Sequence, residues 1–129
     1  LGPRDIADGN CVVVRRDNRE KTVVPIAELK ERLPELLKQV HDGLYNKALA
    51  HRASATFDAH DLDEMIDIAK NKDGFIRAMW CGDRECEDKL KELTGVTSRC
   101  IPFEQEKLSD KCVCCGKPAK QLVYWGKAY

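Results

Sequence analysis

The residues best equipped for chemistry in this 129-residue chain are its seven cysteines: Cys11, Cys81, Cys86, Cys100, Cys112, Cys114 and Cys115. Cys81 and Cys86 enclose Gly-Asp-Arg-Glu, and Cys112 and Cys115 enclose Val-Cys. Each pair is short enough to turn around one ion, and Gly82 and Gly116 give the backbone freedom to fold back. About 25 residues separate the pairs, a length that one helix and one strand fill. Four thiolates in two tight corners suit tetrahedral zinc. Such a site is closed to water and substrate, so the expected role is structural rather than Lewis-acid catalysis. An odd number of cysteines fits a disulfide framework poorly. Clustered thiols in a chain with no secretion signal point to metal, in a reducing cytosol. A redox Cys-x-x-Cys is expected at a strand-to-helix turn, whereas Cys112–Cys115 precedes a strand.

The other candidates sort by position. Cys114 adjoins Cys115, and neighbours on an extended segment point to opposite sides. One of Cys112 and Cys114 therefore pairs with Cys115, and Cys112 has the better spacing. Cys100 alternates on a strand and reads as a small core hydrophobe. Cys11 begins a strand far from the cluster in sequence. His41, His51 and His60 lack ligand spacing and read as solvated or capping residues. There is no Ser-His-Asp arrangement, no phosphate-cradling glycine loop and no distinctive acid pair. The motifs alone give no catalytic centre.

The elements that must position the cysteines follow from periodicity. Residues 11–15 and 22–24 read as two strands joined by the polar turn RDNREK, a hairpin. Pro25 suits the first turn of a helix. After it Ile26, Leu29, Leu33, Leu36, Leu37, Val40, Leu44 and Ala48 recur at helical spacing. Pro34 falls inside that pattern and predicts a break or a second start. Residues 54–58 read as a strand. Residues 60–72 read as an amphipathic helix with Leu62, Met65, Ile66 and Ala69 inward, Asp61 and Asp63 at its positive end, and Gly74 as its stop. Residues 75–80 are a strand, 85–95 a helix ending at Gly95, 96–102 a strand halted by Pro102, and 121–125 the last strand. The expectation is an α+β chain: a two-layer βαβαββ domain over 51–129, its helices on one face of a sheet, preceded over 1–50 by a β-hairpin and long helix.

Composition constrains partners. Basic and acidic residues balance at 22 each, so net charge argues neither for nor against nucleic acid and only local clusters count. The 43% hydrophobic and 34% charged content is that of a globular chain. No apolar run approaches the roughly 20 residues of a membrane span. The opening LGPRDIADGN has no leader pattern and reads as the interior of a longer protein. Arg15, Arg16, Arg19 and Lys21 crowd the hairpin, as a solvated turn or as phosphate contacts. Lys111, Lys117, Lys120 and Lys127 surround the second cysteine pair, to touch RNA or to keep the edge soluble. Trp80, Tyr124 and Trp125 lie on strands, and at least half of them belong to the core.

The blocks GFIRAMWCGDRECEDKLKELTGVTSRCIPFE and KCVCCGKPAKQLVYWGKAY resemble the C-terminal domain of prolyl-tRNA synthetase, of the archaeal and eukaryotic type. The likeness covers roughly residues 54–129. The leading LGPRD…VVVRRDNREK resembles the closing strands of that family's anticodon-binding domain, and the helix after it the family's link into a zinc domain. The resemblance implies a small α/β unit similar to the C-terminal domain of translation initiation factor three. It implies zinc thiolates at Cys81, Cys86, Cys112 and Cys115, with Cys100 a non-ligand. It implies a C-terminal Tyr129 that reaches back toward a catalytic domain. For the full enzyme it implies ATP- and Mg2+-dependent formation of prolyl-adenylate from L-proline and transfer to tRNA(Pro), by a cytoplasmic homodimer with no membrane partner. Nothing in this chain matches class II catalytic motifs, so those sites are expected upstream. An independent zinc-dependent RNA- or protein-binding module is the alternative reading, and a thiol redox protein a third.

Overall fold

The structure, a computed structural model, describes residues 1–128. The chain divides into two compact units, Leu1–Ala50 and a second from His51 onward. Among the described residues no helix is long and apolar enough to cross a membrane.

The first unit opens with a short helix α1 (Pro3–Ala7), followed by strands β1 (Asn10–Val14) and β2 (Lys21–Pro25). The strands pair antiparallel with Cys11 opposite Val24 and Val12 opposite Val23. Alternation turns Cys11 and Val24 inward and leaves Val12, Val14 and Val23 exposed. The turn is closed locally. Arg15 Nη2 donates to Asp17 Oδ2 at 2.7 Å and to the Gln39 carbonyl at 3.2 Å. Its Nη1 reaches Glu20 at 3.3 Å. This arginine is spent on the turn rather than held out for phosphates.

Pro25 ends β2 rather than starting the long helix, and a 3-10 turn (Ile26–Glu28) intervenes before helix α2 (Leu29–Ser54). Pro34 does not interrupt α2. A proline in an early turn forfeits one N–H bond, and the turns that follow propagate past it. The apolar spacing of α2 is real, yet only Leu36 is buried. Leu33, Leu37, Leu44, Tyr45 and Leu49 are exposed.

In the second unit the order is β3 (Thr56–Ala59), α3 (Leu62–Asn71), β4 (Phe75–Trp80), α4 (Arg84–Thr94), β5 (Val96–Cys100) and β6 (Gln121–Lys127). This is the expected βαβαββ sequence. The sheet runs β3-β4-β6-β5, with β3 parallel to β4 and the other pairs antiparallel. One sheet face supplies Ala59, Ile76, Ala78, Val123 and Trp125 to a core shared with Met65, Ile68 and Ala69 of α3 and Cys86 and Leu90 of α4. Trp125 is fully buried, with Trp80 edge-on at 6.0 Å. A buried side chain of the size of Leu90 contributes roughly 2–3 kcal/mol. Ile68, which the pattern missed, is buried, while Leu62 and Ile66 are half-buried at the margin.

Helix α3 is capped by Asp61, whose side chain accepts the Glu64 N–H. It ends at Lys72 in extended backbone, not at Gly74. Gly74 has another reason: its φ is +138°, and a Cβ there would lie 2.0 Å from the Ala55 carbonyl oxygen. Helix α4 does end as expected, with Gly95 left-handed at φ 74°.

The opposite sheet face presents Met79 and Leu122 and is covered by the segment after β5. Gln105 accepts the Leu122 N–H at 2.6 Å. Arg77 holds Asp58 through two bonds of 2.6 and 2.7 Å and Glu106 through one of 2.8 Å. The register of β5 against β6 shifts between Ser98 and Cys100. That bulge, on an edge strand, turns Cys100 outward. Cys100 is exposed, correcting the expectation of a core residue.

Candidate metal centre

Two backbone corners meet at the end of β4. The first follows Trp80 directly: Cys81, then Gly82 at φ +84°, then Asp83 as N-cap of α4. Asp83 accepts the Glu85 N–H at 3.1 Å through its side chain and the Cys86 N–H at 3.1 Å through its carbonyl. Trp80 Nε1 donates to the same carbonyl at 3.1 Å. The corner is therefore fixed by the helix start, and Cys86 emerges in the first turn of α4.

The second corner is a tight loop: the Cys112 N–H donates to Lys117 O at 2.8 Å and the Gly116 N–H to Cys112 O at 3.0 Å. Two further bonds tie it to β4, from Val113 N–H to Met79 O at 2.9 Å and from Lys120 N–H to Trp80 O at 2.8 Å. Gly116 takes φ +70°, which a side chain would resist.

These corners bring the sulfurs of Cys81, Cys86, Cys112 and Cys115 within 4.8 Å of one another. Cys81 Sγ lies 3.7 Å from Cys86 Sγ and 3.8 Å from Cys115 Sγ. A tetrahedron with Zn–S bonds of about 2.3 Å has S···S edges of about 3.8 Å. The spacing is far too long for a disulfide, whose sulfurs sit about 2 Å apart. The donor set fits a tetrahedral thiophilic ion.

The electrostatics favour a cation as well. Burial pushes the Cys81 thiol up, against the opposing pull of the Asp83 N–H. Burial also pushes the Cys86 thiol well above its ordinary range. Cys115, on the exposed side, is pulled down to about 7, first by the Lys117 backbone N–H. Three of the four are buried, and their thiolates need a positive partner to exist there.

Cys114 is close in sequence but lies outside the four. It is buried in the apolar core, and burial raises its thiol. Cys11 is buried in the hairpin of the first unit. His41 and His60 are exposed and belong to no such group among the described residues. Tyr129 lies outside the described residues. No pattern of residues signals the backbone donors of Asp83 and Lys117 to sulfur, nor the bonds that fasten the second corner to β4. These depend on where β4 ends.

Of the lysines near the second corner, Lys127 is used elsewhere, donating to the Ala69 carbonyl. Lys117 and Lys120 border the cluster, together with Arg84 from the first corner.

The family described as "Prolyl-tRNA synthetase, C-terminal" matches residues 62–129. The proline--tRNA ligase of Lachnospira eligens is 60% identical over the whole chain, and that of Clostridium novyi 56%. The chain spans 27% of the length of each. Among solved structures, prolyl-tRNA synthetase from Cryptosporidium parvum complexed with L-proline and AMP superposes with a TM-score of 0.89 at 34% identity. It covers all of this chain with 28% of its own. The same enzyme with halofuginone and AMPPNP gives 0.92. The sequence relatives are bacterial, so they give the family without the archaeal or eukaryotic division that the resemblance suggested.

Proposed function

The chain belongs to the prolyl-tRNA synthetase family, as its C-terminal domain, and from that premise we propose that it serves as the non-catalytic terminal part of a proline–tRNA ligase. The complete enzyme would activate L-proline with ATP and Mg2+ to prolyl-adenylate and pass proline to tRNA(Pro). The residues for that chemistry belong to segments of the protein other than this one. The observation that carries the reading is the match over residues 62–129 together with four converging sulfurs in that same stretch.

Within this proposal Cys81, Cys86, Cys112 and Cys115 hold a structural zinc ion. Bound there, zinc supplies four metal–thiolate bonds and no open coordination position. The chain's own part is to present the thiolates. Asp83 and Lys117 donate backbone N–H groups to Cys81 and Cys115. Val113 and Lys120 lock the second corner onto β4. Zinc would then cross-link the start of α4 to the loop before β6, two elements otherwise joined through β4.

The βαβαββ domain is read as similar to the C-terminal domain of initiation factor three, supported by its element order. The hairpin and α2 are read as the close of an anticodon-binding domain and its linking helix. Their many exposed apolar side chains support that reading. For the archaeal and eukaryotic division the support is the likeness to the Cryptosporidium enzyme, which spans this chain and 28% of that one at 34% identity. The homodimeric, cytoplasmic enzyme is part of the same proposal.

The test is proline-dependent pyrophosphate exchange. The full-length protein should catalyse it, and residues 1–129 alone should not. Exchange by the 129-residue chain, or none by the full-length protein, overturns the proposal.

A further inference from the structure

Resting on that reading, the geometry points to a phosphate-binding cleft on the outer side of the two cysteine corners, where Arg84, Lys117 and Lys120 grip the phosphodiester backbone of an RNA strand. The cleft has a volume of about 510 Å³ and draws its cations from both corners. Arg84 opens α4, while Lys117 and Lys120 flank Pro118 after the second corner.

Each cation sits on fixed backbone. The Lys117 carbonyl accepts the Cys112 N–H, and the Lys120 N–H donates to Trp80 O at 2.8 Å. The stem of Lys120 runs over the first corner. A Cβ on Gly82 would lie 3.5 Å from Lys120 Cδ and 3.8 Å from its Nζ. Both are ordinary van der Waals distances, which puts the ammonium beside the first corner.

Lys117 and Lys120, like most of the 22 basic residues, are left unpaired among the described residues. Arg15, Arg32, Lys38, Arg77 and Lys107 each face a carboxylate. Among the described residues neither Lys117 nor Lys120 has a carboxylate within 4.0 Å. Arg84 has only Asp88, at 3.8 Å and with both side chains mostly exposed. Among the described residues the one carboxylate lining the cleft is Asp83, already bound to the Glu85 N–H as a helix cap. Cations placed on a rigid frame without acidic partners are suited to phosphates, which they position without reading sequence. The competing use of these charges is to offset the thiolates beneath them, and the test separates the two.

The intact, zinc-loaded protein is compared with its Lys117→Ala/Lys120→Ala variant by fluorescence anisotropy with labelled tRNA over a range of salt. The variant should bind about tenfold more weakly at low salt. Its plot of log K against log salt should be shallower by about 2. Zinc content, melting temperature and pyrophosphate exchange, which needs no tRNA, should be unchanged, and the double Lys→Arg variant should bind as wild type. Unchanged affinity and slope overturn the cleft. So does loss of zinc with unchanged RNA binding, which would assign the lysines to the thiolates. If zinc and RNA binding are lost together, Arg84→Gln decides: about threefold weaker binding with zinc retained supports the cleft, and no change overturns it. Absence of exchange in the wild-type protein sinks the functional reading instead, whatever the RNA measurement gives.

Discussion

The two units treat their apolar residues in opposite ways. Leu1–Ala50 buries Cys11, Val24 and Leu36 and exposes eleven large hydrophobics, from Leu1 to Leu49. The unit from His51 onward buries a continuous core and exposes only Phe75, Leu93, Ile101 and Phe103 among its described large hydrophobics. The difference is one of closure. A hairpin and a helix offer apolar stripes but no second layer, whereas a four-stranded sheet with two helices on one face encloses them. Closure in the second unit also extends to the cysteines, since Cys81, Cys86, Cys112 and Cys114 all belong to its core. The cluster is continuous with the apolar packing rather than appended to it.

The largest effect should come from removing the zinc ion proposed for the four cysteines. Chelation, or Cys115→Ser, should release zinc and lower the melting temperature of residues 51–129 by on the order of 20 °C, because a structural site's binding energy is folding energy. Hydrogen exchange in β1 and β2 should not change. Retained metal and an unaltered melt in Cys115→Ser would break the link between cluster and core. A smaller effect separates the two apolar patterns. Leu90→Ala, at a fully buried position, should cost about 3 kcal/mol by denaturant unfolding. Leu37→Ala, at a position 68% exposed, should stay within about 0.5 kcal/mol. Equal costs would mean that the α2 stripe is covered in solution. The smallest is Cys114→Ser, which should keep zinc and cost about 1 kcal/mol for a buried hydroxyl. If it releases zinc while Cys112→Ser does not, the second corner uses the other register.

Much of this was legible in the residues, and the gaps have physical causes. The strands and helices of the second unit follow from period-2 and helical alternation, and β4 falls on residues 75–80 as expected. Ile68 was missed because a helix buried against both a sheet and a neighbouring helix uses a wider stripe than a single face suggests. Pro34 misled because proline is a local signal and α2 is a long cooperative unit. Cys100 misled because alternation assumes unbroken register, and a bulge intervenes.

What the sequence determined by itself is the pairing of the cysteines into two corners. Their spacing, with Gly82 and Gly116 beside them, requires tight turns whatever the surrounding fold. What only the tertiary structure decided is which cysteines meet. Spacing favoured Cys112 over Cys114 without excluding either. The bond from Val113 N–H to Met79 O sets the second corner against β4, so that Cys112 and Cys115 face the first corner while Cys114 enters the core. The long separation between the corners is bridged by sheet pairing, a non-local interaction that no local stretch of residues encodes.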